Sequence, residues 1–379
     1  MDLVAGRTWS RERAPIRHLD PVLLAATLAL SLIGLFMIFS ATRPLLDAQN
    51  LNPYLDVKKQ VTALTFGVIM LLLAATFDYR FAKVYAGLIY AGMVVLLVLV
   101  RTPLGTSSLG AQRGFTLGGF QFTPSEPMKV ALVIMLAAFL SELKTYDLSL
   151  QQVYRATFIA AIPMALVFIQ PDIGTTIVLS AVLFGALIVA GARPRHLAVL
   201  ALSAMVLLFG AFQLGVIQKY QVQRLTSFLA PQNSSADANY NRNQSEITIG
   251  SGGITGTGYL EGIQTNLAFV PEQHTDFIFT VVGEQFGFIG ALALLLLFAL
   301  LLWRAFRIAV LSKDPFGTYV AAGIAAMFAI QMFVNIGMTI GIMPITGIPL
   351  PFVSYGGSSL MANFIAVGLL LNIHMRRFK

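Results

Sequence analysis

Side chains that could do chemistry are concentrated in three polar segments of the sequence. The first contains Arg113, followed by Glu126 and Lys129, which lie three residues apart and therefore on one face of a helix. Ionisable groups beside an apolar run are costly and usually functional, so this segment predicts a polar site at the edge of a bilayer. The alternative is a helix start that Ser125 caps, with an interfacial ion pair and a lysine that extends to water.

The second segment is the short connection Gln170–Thr175, which contains Asp172. Two interpretations stay open for this aspartate. It caps the helix that follows, with Gly174 easing the turn, or it belongs to a site at the membrane surface.

The third segment joins a glycine-rich stretch, Gly250–Gly258, to the titratable residues Glu272, His274 and Asp276. The glycines predict either a turn-rich loop or an anion cradle of backbone N–H groups, and they match neither a Walker loop nor a Rossmann fingerprint. The titratable trio lacks a convincing zinc-ligand spacing. A carboxylate poised between an aqueous loop and an apolar run is better suited to a general base.

Two further segments carry weaker signals. Glu284 lies inside an apolar run and predicts a buried hydrogen-bonding group. The segment Met343–Ser359, which includes the candidate substrate-binding residue Ser358, contains three prolines and many small residues. It predicts a re-entrant loop that lines a cavity, or tight packing of small residues between helices.

These segments must be held by membrane-spanning helices. Of the 379 residues, 57% are hydrophobic and only 11% are charged, whereas a soluble domain is about a quarter charged, so a soluble protein is excluded. Lipid cannot satisfy backbone polar groups, so the spans must be helical. The sequence predicts one all-α polytopic membrane domain with ten spans near 21–40, 61–77, 83–100, 128–143, 155–169, 175–190, 196–215, 277–303, 318–340 and 353–373.

The charges predict the orientation of the spans. The connections on the side of the two termini carry 16 lysines and arginines, and those on the other side carry 8 in about twice the length. We therefore expect cytoplasmic tails at 1–20 and at 374–379. The N-terminal segment is expected to stay attached, without cleavage as a signal peptide. A large extracytoplasmic loop is expected at 216–276, between the seventh and eighth helices. The net charge of +8 is scattered singly at span ends, which excludes a nucleic-acid-binding stripe. Cysteine is absent, so no thiolate chemistry is available.

The motifs together resemble the SEDS family (shape, elongation, division and sporulation), polytopic membrane glycosyltransferases of bacterial peptidoglycan synthesis. Its elongation branch, RodA, is more similar than its division branch, FtsW. The sequence departs from the family at Gly114, where tryptophan is usual, which puts a local aromatic packing in doubt. The matching motifs are GAQR at 110–113, FQFTPSEPMK at 120–129, QPDIGT at 170–175, QSEITIGSGGITGTG at 244–258, PEQHTDFIF at 271–279 and PITGIPLPFVSYGGSSL at 344–360.

The resemblance implies polymerisation of lipid II, the lipid-linked disaccharide pentapeptide, in the plasma membrane during cell elongation and shape maintenance. It places the essential aspartate of the family on Asp276 and conserved substrate-binding residues on Glu126, Lys129 and Asp172. Arg113 and His274 lie in the matching motifs. The expected cofactor is a divalent cation, Mg²⁺ or Mn²⁺. The expected partners are the lipid II substrate, a class B penicillin-binding protein and membrane lipids. The alternatives are a lipid II flippase and a non-catalytic scaffold of the cell-wall synthesis complex.

Overall fold

A computed structural model of the chain describes residues 18–103, 105–108, 111–117, 120–143, 147–213 and 236–377. The expected N-terminal tail up to residue 17, the first part of the large loop at 216–235 and the last two residues lie outside this range. The described part contains thirteen helices and one small antiparallel sheet.

Ten of these helices are apolar, in agreement with the ten predicted spans. Six of them are both long and apolar enough to cross a membrane. Large apolar side chains such as Phe36, Leu88 and Leu202 stay exposed on their outer faces, as expected for surfaces in contact with lipid. The ten helices are α1 (Pro21–Ala48), α2 (Leu55–Thr76), α4 (Ala86–Val100), α5 (Ser125–Glu142), α6 (Leu150–Ile169), α7 (Ile173–Val189), α8 (Pro194–Gln213), α11 (Ile278–Val310), α12 (Pro315–Thr339) and α13 (Gly357–Arg376).

The three remaining helices are α3 (Tyr79–Val84), α9 (Ala236–Ser251) and α10 (Ile263–Asn266). Helices α12 and α13 form the buried centre of the bundle, and α2, α5 and α7 pack around them. The predicted spans alternate in direction, so one end of the bundle carries the sheet, α9 and α10, and the other carries the two termini.

Helix ends differ from the predicted span ends where polar contacts extend a helix. Helix α13 passes the predicted end of its span at 373 and continues to Arg376, into the predicted C-terminal tail at 374–379. Its last turn is held by hydrogen bonds from Arg376 to the Asn372 side chain and to the Thr76 carbonyl. Helix α1 likewise passes its predicted end at 40 and reaches Ala48, where Arg43 and Asp47 form an exposed i,i+4 ion pair.

The sheet was not predicted from the sequence. Its strands β1 (Thr106–Ser108), β2 (Ala111–Leu117) and β3 (Phe120–Phe122) pair antiparallel in that order. Gly114 on β2 is buried, and a Cβ there would lie 2.8 Å from the Phe122 carbonyl oxygen. The position where the family usually carries tryptophan is therefore a close approach between two strands.

Helix α11 is broken at Gly287, whose φ of 61° and ψ of −158° are not helical. The glycine-rich segment fills the break: the Phe288 N–H donates to the Gly253 carbonyl at 2.9 Å, and the Thr257 N–H donates to the Glu284 carbonyl at 3.0 Å. In each case the next N–H along the chain donates in the same way to the next carbonyl. Backbone groups that the break exposes are thus satisfied inside the protein, as membrane depth requires.

The glycine-rich segment is therefore a turn-rich loop, and the alternative of an anion cradle is wrong. The N–H groups of Gly256, Thr257 and Gly258 all donate to carbonyls of the chain itself. Glu284 is buried beneath the loop and accepts from the Gln264 N–H at 2.7 Å and from the Thr265 N–H at 2.9 Å. Its prediction as a buried hydrogen-bonding group is confirmed.

We expect Gly256→Ala to destabilise the protein. Gly256 has φ of 86°, and an added Cβ would lie 2.2 Å from the Gln285 carbonyl oxygen, so the loop would have to withdraw from the helix break. Strain and displacement of this kind cost about 1–3 kcal/mol. Thermal unfolding in detergent would measure the loss. Gly250→Ala is the matched control, because nothing lies within 4 Å of a Cβ there; equal midpoints for the two variants would contradict the prediction.

Candidate active site

A cavity of about 790 Å³ opens at the end of the bundle that carries the sheet. All three polar segments of the sequence, together with the proline-rich segment, contribute to its wall. The lining residues are Lys59, Gln60, Thr62, Arg113, Gln121, Thr123, Ser125, Glu126, Asp172, Thr175, Glu272, His274, Thr275, Gly347, Pro349, Tyr355, Gly356, Gly357, Ser358 and Ser359.

Arg113 reaches the cavity from β2. Its guanidinium donates to the Gln170 carbonyl at 3.2 Å and to the Pro171 carbonyl at 2.6 Å, at the end of α6. Both partners are neutral, so these bonds hold the side chain in place and leave its positive charge uncompensated. A fixed guanidinium of this kind suits a phosphate group.

Glu126 and Lys129 form a buried ion pair in the first turns of α5. The Lys129 ammonium lies 2.8 Å from the Glu126 carboxylate, and the two side chains are 2% and 11% exposed. Lys129 therefore does not extend to water, and it lies behind Glu126, which faces the cavity. The pair has no net charge. The role of Lys129 is therefore to position Glu126, and its ammonium is not available as a cation for a ligand.

Ser125 is not the cap of α5, contrary to one sequence interpretation. Pro124 occupies the cap position with helical angles, and no side chain caps the helix. Because proline has its φ near −65°, it suits the first turn of a helix and starts α5 one residue early. Ser125 becomes the first helical residue and faces the cavity.

Asp172 caps α7, as one of its two sequence interpretations predicts, and its role in a site stays a prediction. One carboxylate oxygen accepts from the Thr175 N–H at 2.9 Å and the other from the Thr175 hydroxyl at 2.8 Å, so Asp172 caps α7. It also lines the cavity. A Cβ on Gly174 would lie 2.7 Å from the Ile348 side chain, so this glycine also permits close packing of the proline-rich segment.

The segment that precedes α11 brings a carboxylate and an imidazole to the wall. Glu272 is exposed, and His274 is half-buried beside Tyr355, with ring centroids 5.5 Å apart. Burial lowers the pKa of His274 against the opposing effect of Glu272, so this imidazole is neutral at neutral pH and acts as a hydrogen-bonding group. Burial raises the pKa of Tyr355 to about 12, which keeps its hydroxyl protonated.

Asp276 lies one residue beyond the cavity-lining Thr275, at the start of α11, and is half-buried. Its backbone is fixed: the Asp276 N–H donates to the Glu272 carbonyl at 3.2 Å, and the Asp276 carbonyl accepts from the buried Asn335 side chain at 2.8 Å. Asn335 also donates to the Ile348 carbonyl at 2.7 Å. The segment before α11 and the proline-rich segment are thereby locked together.

Ser358, in the first turn of α13, joins this helix to the sheet. Its hydroxyl accepts from the Thr123 N–H at 2.9 Å and donates to the Gln121 carbonyl at 3.1 Å. The Gln60 side chain donates to the Ser354 carbonyl and accepts from the Gly356 N–H. The proline-rich segment therefore lines the cavity, as one of its two sequence interpretations predicts.

Sequence reasoning missed Lys59, Gln60 and Tyr355 and did not select Glu272 as a site residue. Lys59 and Gln60 lie at the start of α2, where an amphipathic helix end gives no signal distinct from ordinary interfacial polarity. Glu272 carried a signal, since it shares a five-residue segment with Asp276.

Within the described residues, no three His, Asp or Glu side chains come together, so this wall does not fit a dedicated cage for a divalent cation.

Comparison with known proteins decides the family. The FtsW/RodA/SpoVE model, described as cell cycle protein, matches residues 21–379. The chain belongs to this family. The motif resemblance is thereby confirmed.

Named relatives of the family cover nearly the whole chain. Stage V sporulation protein E of Bacillus subtilis (strain 168) is 37% identical over 360 residues, 93% of this chain and 96% of that protein. Peptidoglycan glycosyltransferase MrdB of Escherichia coli (strain K12) is 36% identical over 362 residues, 95% of this chain and 94% of that protein.

Solved structures of the family share the fold. A chain of a peptidoglycan synthase complex, reported for the structural coordination of polymerization and crosslinking, aligns with a TM-score of 0.80 and 30% identity over 95% of this chain and 99% of that one. The rod shape determining protein RodA of Thermus thermophilus aligns with a TM-score of 0.69 and 28% identity, over 95% of this chain and 98% of that one.

We expect Lys129→Met to destabilise this family member, because it leaves the buried Glu126 carboxylate without its cation. Breaking one side of a buried pair costs about 3 kcal/mol. Adding Glu126→Gln should restore most of the loss, since it removes the stranded charge. Unfolding midpoints in detergent would measure both effects. Lys59→Met, at an exposed lysine 3.4 Å from Asp56, is the control and should change little. A double variant no more stable than Lys129→Met would refute this account.

Proposed function

We propose that this chain is a peptidoglycan glycosyltransferase that polymerises lipid II into glycan strands. The observation that carries the proposal is the cavity itself, where fixed Arg113, exposed Lys59 and a set of carboxylates meet at the ends of apolar helices. Such a place admits a substrate that has a lipid tail, a diphosphate and a polar sugar. The relatives MrdB and FtsW are named as peptidoglycan glycosyltransferases, which supports the proposed class of reaction.

The proposed orientation places the cavity on the extracytoplasmic side of the bacterial plasma membrane, with both termini in the cytoplasm. Its support is the twofold excess of lysine and arginine in the connections at the end of the termini. Lipid II would then enter with its hydrocarbon tail in the outer leaflet and its diphosphate and sugars in the cavity.

In the proposed reaction, a hydroxyl oxygen of the acceptor sugar attacks the anomeric carbon of the lipid-linked donor chain. The bond from this carbon to the diphosphate oxygen breaks, and the lipid diphosphate leaves with the electron pair. Asp276 accepts the hydroxyl proton as general base. Because a diphosphate is a much weaker base than a sugar alkoxide, one base is sufficient, unlike the two carboxyl groups of a glycosidase.

Positive charge on the cavity wall stabilises the leaving diphosphate in this proposal. Arg113 has neutral partners, and Lys59 is only loosely paired with Asp56, whereas Lys129 is already neutralised by Glu126. We therefore assign the binding of the diphosphate to Arg113 and Lys59. A Mg²⁺ or Mn²⁺ ion stays a prediction, and the proposed steps use only side chains of the chain itself.

The distribution of charge favours a polymerase over a lipid II flippase. A transporter should present ionisable residues along a path across the bilayer. In the ten apolar helices, as far as the structure describes them, the central turns hold no Asp, Glu, Lys, Arg or His.

A non-catalytic scaffold predicts that cavity carboxylates can be replaced without loss of function.

We expect Asp276→Asn to lower the polymerisation rate of the purified chain with lipid II in detergent by about a hundredfold or more, the typical contribution of a general base. Glu272→Gln is the matched comparison, because Glu272 lies in the same segment and faces the cavity. If Glu272→Gln abolishes the rate and Asp276→Asn does not, the base is Glu272. Normal product from both variants would show that neither carboxylate is the base, whereas no product from the unaltered chain would reject the enzyme in favour of a flippase or a scaffold.

We propose a class B penicillin-binding protein as partner, which would crosslink the strands that this chain makes. Support comes from the synthase complex whose chain shares the fold. Co-expression should yield a stable complex on size-exclusion chromatography, with faster polymerisation than the chain alone. A penicillin-binding protein of class A is the control for non-specific association; equal recovery of the two would contradict the pairing.

The role in elongation and cell shape rests on the RodA-like motifs. Stage V sporulation protein E, MrdB and a probable peptidoglycan glycosyltransferase FtsW of Geobacter metallireducens are 37%, 36% and 35% identical to this chain, so overall identity does not separate the three branches of the family.

A further inference from the structure

A second groove, of about 370 Å³, lies at the opposite end of the bundle from the cavity, between α1 and α11. Its wall is entirely apolar, and the small side chains of Ala25 and Ala29 on α1 give it depth. Ala25 is exposed, so the groove opens toward the surrounding lipid. The lining residues are Pro21, Val22, Ala25, Ala26, Ala29, Leu297 and Leu300.

Two arginines follow the groove on the same face of α11. Leu297, Leu300, Arg304 and Arg307 are spaced three, four and three residues apart, which places them in one stripe that runs toward the end of the helix. Trp303 marks the membrane interface beside them, and its ring centroid lies 5.5 Å from the Arg304 guanidinium carbon and 5.6 Å from that of Arg307. The apolar groove therefore ends in cationic groups.

One of these charges is already balanced. Arg304 forms an ion pair with the Asp20 carboxylate, which also accepts the Val22 and Leu23 N–H groups at the start of α1. Asp20 is fully buried, so the pair joins α1 to α11 at the end of the groove next to the arginines, which we call the head of the groove.

The charge of Arg307 is joined by that of Arg377, which follows α13. Burial and the nearby charges of Arg307 and Arg304 together lower the pKa of the Arg377 guanidinium, so the three groups lie close enough to repel one another. Among the residues that the structure describes, the Asp20 carboxylate acts on Arg377 and on the His374 ring together with the charges of Arg304 and Arg307. Counted over residues 18–377 as far as they are described, the head of the groove therefore has an excess of positive charge.

We propose that this groove and its arginines form a binding site for an anionic phospholipid. One acyl chain lies in the groove between α1 and α11, and the phosphate group pairs with Arg307. The combination of an apolar channel with a positive head is complementary to such a lipid, whereas a zwitterionic lipid would bring its own cation to the arginines. In the proposed orientation the lipid belongs to the cytoplasmic leaflet, where anionic headgroups attract basic residues.

The test uses the full-length chain, purified in detergent and titrated with lipid in native mass spectrometry. Dioleoyl phosphatidylglycerol and dioleoyl phosphatidylcholine share their chains and differ in headgroup, so their ratio of affinities isolates the charge. One basic residue near an anionic headgroup contributes about fivefold in affinity. We expect phosphatidylglycerol to bind at least fivefold more tightly, and Arg307→Gln to remove about fivefold of that preference with binding of phosphatidylcholine unchanged.

The groove itself is tested by Ala25→Leu, which fills it from an exposed position and should weaken both lipids. Arg155→Gln and Ala201→Leu are the matched controls, at exposed positions of α6 and α8 toward the same end of the bundle. Equal affinity for the two lipids would overturn the proposal, as would equal losses from Arg307→Gln and Arg155→Gln. The measurement contains no peptidoglycan substrate, so its outcome is independent of the proposed polymerase activity.

Discussion

The whole arrangement depends on one constraint: at membrane depth, every backbone polar group needs a partner inside the protein. Continuous helices meet it by themselves, but a site needs helices that end or break. Here the break of α11 at Gly287 is filled by backbone groups of the glycine-rich loop. The non-helical chain between α12 and α13 is held by the side chains of Asn335 and Gln60. These substitutes supply backbone partners at the break of α11 and in the proline-rich segment, and the second of these lines the cavity.

Electrostatic balance then separates the residues that shape the cavity from those that can act on a ligand. Lys129 and Glu126 neutralise each other in the interior, and the Asp172 oxygens are used in capping α7. Arg113 differs, because carbonyl groups hold it in position without cancelling its charge. A wall with one fixed guanidinium, a neutral imidazole at His274 and a carboxylate segment at its rim is suited to an anionic, sugar-bearing substrate.

Much of the fold was predictable because hydropathy reports membrane crossing directly. All ten predicted spans correspond to helices, and the errors lie at their ends, where ion pairs such as Arg43 with Asp47 continue a helix beyond its apolar run. The small sheet was missed because strands of three to seven residues leave too short a pattern of alternation. The two interpretations of Asp172 were equally sound, since a helix cap at the membrane surface is also a place in a cavity wall.

The sequence by itself determined the class of protein, the number of spans and the motifs that place it in its family, because composition, hydropathy and residue order need no third dimension. Only the tertiary structure decided which ionisable groups meet the cavity. Spacing predicted that Glu126 and Lys129 share a face, but burial against the neighbouring helices placed the lysine behind the glutamate. It also placed Glu272 and Lys59 on the wall of the same cavity. The direction of a side chain is set by packing against segments far away in sequence, and a single sequence does not contain those distances.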